Sequence, residues 1–119
     1  MSTRSDKEWV GDILDRIARI KLAEITLAGA EENEDSWEGA RIIFDAILYN
    51  LLIIGEAVKG LSHEIKERNS SVPWKNISGM RDVLTHEYFR VDVNIVRITL
   101  DSPLESLRKT CESESKRLG

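Results

Sequence analysis

Ala46-Ile47-Leu48-Tyr49-Asn50-Leu51-Leu52-Ile53-Ile54-Gly55-Glu56-Ala57-Val58 is the most apolar run of the chain. Asn50 and Glu56 interrupt it, and it falls well short of the roughly 20 residues that span a bilayer. It therefore reads as the middle of a buried helix, and no membrane segment is expected. Outward from it, Trp37, Ala40, Phe44, Ile47, Leu48, Leu51, Ile54, Val58, Leu61 and Ile65 recur at helical spacing. The stripe predicts one long central helix that begins near Asp35 or Ser36 and runs to Ile65. Ile43, Leu52 and Ile53 extend the apolar surface beyond one face, so two faces are expected to be buried, either between helices of the same chain or in a homodimer seam. Gly55 and Gly60 mark places where helices approach closely or the rod bends.

The flanking segments carry the same period. Ser5-Asp6-Lys7-Glu8 has the spacing of a capping box, and Trp9, Ile13, Ile17, Ile20 and Leu27 follow on one face. This predicts a first helix of about five or six turns that ends near Ala28-Gly29. The acidic stretch Glu31 to Asp35 reads as a solvated turn, and Arg68-Asn69-Ser70-Ser71-Val72 as a polar connection. Pro73 suits the first turn of the next helix, which carries Trp74, Ile77, Met80, Val83 and Leu84. Asp92 is placed to cap a helix containing Val93, Ile95, Val96, Ile98 and Leu100. Ser102-Pro103-Leu104-Glu105 has the spacing of another capping box, before a last helix to Leu118 that is largely polar beyond Leu104 and Leu107. No segment alternates with period two. The expected fold is an all-α bundle of four to five helices in one domain over residues 1–119.

Composition narrows the function. With 41% hydrophobic and 32% charged residues, the chain has an ordinary soluble balance. A formal net charge of -4 argues against a general nucleic-acid coat, because nonspecific affinity for a polyanion comes from Lys and Arg, so any nucleic-acid contact is expected to be local. Cys111 is the single cysteine, which rules out an intrachain disulfide and a Cys-rich zinc site and fits a reducing cytoplasm. The polar start of the chain does not support secretion. His63-Glu64 lacks a second His at zincin spacing, and with two histidines in the chain no dedicated metal site is expected. No Gly-rich phosphate loop is present, so no nucleotide cofactor is expected.

Chemistry concentrates in Gly79-Met80-Arg81-Asp82-Val83-Leu84-Thr85-His86-Glu87-Tyr88. A permanent cation with a planar fork of donors suits phosphate oxygens, and an imidazole can move a proton near neutral pH. Arg81 and His86 are five residues apart, about 140° of azimuth on an ideal helix. They cannot share one straight helical face. Either the chain leaves the helix between Leu84 and His86, or the two side chains converge in a groove to which a second protomer contributes. The plainer alternative is an Arg81 paired with an acid such as Asp82 or Glu87 and a His86 filling a surface position.

Arg81-Asp82-Val83-Leu84-Thr85-His86 resembles the Arg-x4-6-His hallmark of the HEPN superfamily, and His86-Glu87-Tyr88 resembles the His-x-Tyr extension of HepT-like toxins of the HepT/MntA type. Ile54-Gly55-Glu56-Ala57, Pro73-Trp74, Ile77-Ser78-Gly79-Met80 and Tyr88-Phe89-Arg90-Val91-Asp92 add to the likeness, which is strongest from Ile42 to Ile98. One departure is Asp82, where the family often has Asn.

The resemblance implies a metal-independent endoribonuclease acting as the toxin of a type VII-like toxin-antitoxin pair. It implies His86 as general acid or base, Arg81 as stabiliser of phosphate charge and Asp82 in support. Lys75 and Arg90 are candidates for local phosphate contacts, against the plainer reading of each as a solvated surface charge. The resemblance also implies Tyr88 as the acceptor of AMP from an MntA-like nucleotidyltransferase antitoxin, and a homodimer or higher oligomer acting on RNA. A noncatalytic HEPN module that docks a nucleotidyltransferase is the alternative expectation.

Overall fold

Three contacts that the first helix makes with the second and with the residue that caps the third set the architecture, because they run in opposite chain order. Asp6 Oδ1 accepts from the amide of Ser62 at 2.8 Å, the Trp9 indole lies against Gly60, and Arg16 Nη1 donates to Asn50 Oδ1 at 3.2 Å. The computed structural model describes residues 4–31, 37–86 and 93–119. Its elements are α1 (Asp6–Glu31), α2 (Trp37–Gly60), α3 (His63–Arg68), α4 (Trp74–His86), α5 (Val93–Leu100) and α6 (Ser102–Leu118). Among the described residues there is no strand. The fold is an all-α bundle, with five helices of eight residues or more and the six-residue α3.

α1 starts as its capping box predicts: the Glu8 amide donates to Ser5 Oγ at 3.2 Å and the Ser5 amide to Glu8 Oε1 at 3.3 Å. Its Val10, Ile13, Ile17 and Ile20 form the stripe that packs on α2. The helix runs to Glu31, past the Ala28-Gly29 end expected from glycine. α2 contributes Ile47, Leu48, Leu51, Ile54, Ala57 and Val58 to the same core. Truncating one such Ile to Ala would cost about 2–5 kcal/mol.

The long apolar stripe does not lie on one helix. α2 stops at Gly60, and Ile65 belongs to α3. Ser62 is in extended conformation with ψ 155° and its side chain accepts from the Ile65 amide, while Asp6 holds its own amide. A capping residue held from α1 thus restarts the helix. Gly60 suits the break because a Cβ there would overlap the Trp9 ring.

The α3–α4 connection is held by Trp74, whose Nε1 donates to the carbonyls of Lys66 and Asn69 at 3.2 and 3.0 Å. Pro73 sits just before α4, its carbonyl accepting from the Ile77 amide at 3.1 Å. It therefore acts one step earlier than the expected first turn. The expected start of α2 and the Asp92 cap lie outside the described residues. At α6 the cap is Asp101, not Ser102, with no side-chain capping bond. The Glu105 carboxylate pairs instead with Arg108 and Lys21, so the second capping box does not form.

α6 packs on α1 and α5. It buries more than Leu104 and Leu107: Cys111 and Glu114 continue the stripe. The Glu114 side chain, 4% exposed, accepts from Arg68 Nε and Nη2 at 2.9 and 2.8 Å and from Asn69 Nδ2 at 2.9 Å. These bonds, Arg68 foremost, hold its carboxyl down at about 2. Burial pushes the Cys111 thiol up to about 12.

Candidate active site

Arg81 reaches its position through a glycine. α4 crosses α2 at Gly55, where a Cβ would lie 2.7 Å from Arg81 Cβ and 3.3 Å from both the Arg81 amide nitrogen and the Ile77 carbonyl. Only a residue without a side chain lets the backbones approach this closely. The crossing places the Arg81 side chain, 34% exposed, on the rim of α2, where its Nε meets Glu56 Oε1 at 2.5 Å. Nη1 donates to Asp82 Oδ1 at 3.1 Å. Lys59 Nζ, one turn after Glu56, reaches the same Asp82 oxygen at 3.1 Å.

Two cations and two anions therefore alternate across the α2–α4 rim. The hydrogen bond to Asp82, followed by the charge of Glu56, pushes the Arg81 guanidinium to a still higher pKa, so it stays a cation. The bonds from Arg81 and Lys59 hold Asp82 below the usual carboxylate range. Asp82 thus does not leave an uncompensated negative charge beside the arginine, because Lys59 balances it. Sequence reading anticipated an acidic partner for Arg81 at Asp82 but missed Glu56 and Lys59. Their spacing on α2, with both side chains on the turn after Gly55, is the available signal.

His86 is the last residue of α4 and is exposed. The helix is continuous from Arg81 to His86, supported by the bond from Thr85 Oγ1 to the Arg81 carbonyl at 2.8 Å. The chain does not leave the helix between Leu84 and His86, which removes the first way of bringing the two side chains together. With about 140° between them, Arg81 turns toward α2 and His86 away from it. Leu84 is buried beneath, whereas Val83, expected in the packing face, is 49% exposed.

Lys75 stands at the other end of α4, eleven residues from His86 and roughly 16 Å by helix rise. It lines an open cavity of about 500 Å³ with His63, Lys66 and Trp74. It is not brought together with Arg81 and His86. Tyr88 and Arg90 lie outside the described residues.

The Arg81-to-His86 spacing on α4, and the cradle built for Arg81, coincide with a match to the family described as ribonuclease HepT-like over residues 12–114. The chain belongs to the HepT-like ribonuclease family. Its relatives include a protein of Thermococcus cleftensis named "Probable ribonuclease HepT", 33% identical over 115 residues, 95% of this chain and 98% of that protein. A Caldanaerobacter subterraneus protein named provisionally as an RNase is 47% identical over 68 residues, 57% of this chain and 61% of that protein. A Methanocaldococcus jannaschii protein, named as a gamma-glutamylcyclotransferase and provisionally as an RNase, is 32% identical over 79 residues, 66% of this chain and 36% of its own length. The HepT-like chain thus spans less than two thirds of the last two relatives. No solved structure matches it significantly. Among the described residues, no helix is long and apolar enough to cross a membrane.

Proposed function

We propose that the chain is a metal-independent endoribonuclease toxin, one domain over residues 1–119, in which Arg81 and His86 act on an RNA phosphodiester. The 2'-hydroxyl loses its proton to one imidazole and its oxygen attacks the adjacent phosphorus. The bond from phosphorus to the 5'-oxygen breaks as that oxygen takes a proton from a second imidazole, leaving a 2',3'-cyclic phosphate and a 5'-hydroxyl. Arg81 stabilises the charge on the phosphorane oxygens. No step requires a metal.

The observation that carries this reading is the continuous helix through His86. It sets Arg81 and His86 on different faces of α4, so one protomer does not present both to one phosphate. A groove shared by two copies supplies the missing half and both imidazoles. The outer face of α2 supports such a pairing: Ile42 is 70% and Tyr49 57% exposed, and the same seven-residue step leads from Tyr49 to Glu56, the partner of Arg81. Exposed apolar side chains aligned on the site suit a self-complementary contact.

Mixing wild-type with His86→Ala protein tests this. A hybrid dimer keeps a single imidazole at the groove and is expected to be inactive, so cleavage should fall more steeply than the wild-type fraction. A fall in simple proportion to that fraction, in a mixture verified to contain hybrid dimers, would reject the shared groove.

Control by an MntA-like nucleotidyltransferase antitoxin completes the reading. AMP on Tyr88, two residues after His86, would add a bulky anion beside the site and repel RNA phosphate. Co-expression with that partner and ATP is expected to add the mass of AMP to Tyr88-containing peptides. Unchanged peptide masses would refute it. The pairing of Arg81 with two acids favours a second reading, a noncatalytic module that docks the nucleotidyltransferase. Loss of docking without any nuclease defect marks that alternative.

A further inference from the structure

Arg81 is gripped from both helices: Glu56 of α2 takes Nε at 2.5 Å and Asp82 of α4 takes Nη1 at 3.1 Å. Two carboxylates at two different nitrogens fix the plane of a guanidinium, which a single contact leaves free to rotate. The grip stands on helical backbone, with Gly55 setting the spacing of α2 and α4, and sites carried on helices hold geometry better than sites on loops. Glu56 is 44% exposed and Arg81 34%, so the pair lies at the solvent rim where a phosphate can approach.

We infer that Glu56 is a positioning residue that orients the Arg81 guanidinium through Nε, so that an RNA phosphate meets a donor group already aimed. The inference rests on the reading of Arg81 as the stabiliser of phosphate charge. Glu56 is otherwise a competitor that phosphate must displace. The magnitudes favour positioning: an exposed ion pair shifts an equilibrium by no more than about fivefold, whereas misplacing a catalytic group by about 1 Å costs on the order of a hundredfold in rate. Lys59, sharing Asp82, keeps the rim neutral overall, so Glu56 does not turn it into a repulsive surface.

The test compares the full chain with Glu56→Ala, Glu56→Gln and Arg81→Ala, following RNA cleavage in a chelator. Glu56→Ala is expected to lower kcat by about 30- to 100-fold with KM and melting temperature little changed. Glu56→Gln is expected to recover to within about fivefold, because an amide oxygen still accepts from Nε. A purely structural role would lower the melting temperature without that kcat-specific loss. Glu56→Ala protein as active as wild type, or more active, overturns the inference, as does failure of the Gln variant to rescue. A second readout does not depend on activity. The 15N resonance of Arg81 Nε, assigned by its disappearance in Arg81→Lys, is expected to exchange slowly in wild type and Glu56→Gln and to join the exposed arginines in Glu56→Ala. Fast exchange in wild type overturns the inference even where no cleavage is found. Inactive wild-type protein with a protected Nε instead rejects only the ribonuclease assignment and leaves the positioning standing.

Discussion

Arg81 rests its Cβ on the bare backbone of Gly55, so closely that a methyl group on the glycine would sit 2.7 Å away. The contact couples the helix crossing to the place of the guanidinium. Gly55→Ala gains about 1 kcal/mol of helix propensity but overpacks against backbone, which costs about 1–3 kcal/mol. A net loss near 1 kcal/mol is expected in urea denaturation, with a much larger effect on cleavage, at least tenfold, as Arg81 shifts outward. Gly79 of α4 has open space where its Cβ would be, so Gly79→Ala is expected to stabilise by about 1 kcal/mol.

Lys59 offsets the charge that Asp82 places beside Arg81. Its removal leaves an extra anion near the approaching phosphate. Lys59→Ala is expected to raise KM for RNA about fivefold, the scale of an exposed charge pair, with kcat unchanged. Asp82→Asn in the same protein is expected to restore KM. Steady-state kinetics at two salt concentrations check this, since the effect is screened as salt rises.

The Arg68–Glu114 pair predicts an acid-sensitive step in stability. The Glu114 carboxyl is held at about 2 against an ordinary value of 4.5. A lowered folded-state pKa means that the stabilisation is present above about 4.5 and is lost as pH falls from there toward about 2. Glu114→Ala removes the acceptor of the bonds from Arg68 and Asn69 but leaves Arg68, 35% exposed, able to turn to water, so the expected cost at pH 7 is about 2 kcal/mol. The difference between wild type and variant should shrink steadily in denaturation curves taken from pH 5 to pH 2.5.

Cys111 is buried, with its thiol pushed up to about 12 by burial and then by Glu114. So little thiolate at neutral pH makes it a poor nucleophile. Thiol reagents are expected to label it only on unfolding, at a rate that follows global opening. Rapid labelling of the folded protein would contradict the α6 packing.

Much of the fold was legible in local pattern. The Ser5–Glu8 capping box formed as its spacing predicts, and the helical stripes of α1, α2 and α4 gave the all-α class. What pattern could not show depended on partners distant in the chain. The end of α2 is set by Trp9 against Gly60 and by Asp6 holding Ser62, neither visible in the apolar stripe running on to Ile65. The polar look of α6 hid a stripe of Leu104, Leu107, Cys111 and Glu114, because a carboxylate reads as surface until Arg68 is seen to pair with it. Gly55 was expected to be a point of close approach, and it is one. Arg81 and His86 were named together on chemistry and family resemblance, and the continuous helix sets them on different faces of α4. Glu56, 25 residues before Arg81, stood in the family-like stretch Ile54-Gly55-Glu56-Ala57, but its contact with Arg81 entered only through the helix crossing.

Metal-free RNA cleavage by Arg81 and His86 can be read directly from fragment ends. Purified protein, its mass first checked for AMP on Tyr88, is incubated with total cellular RNA in excess EDTA beside Arg81→Ala and His86→Ala, and the fragment ends are mapped. Cleavage by the unmodified wild type alone is expected, leaving 2',3'-cyclic phosphate and 5'-hydroxyl ends. Folded, unmodified wild-type protein that leaves RNA intact, or cleavage that persists in His86→Ala, would contradict that expectation.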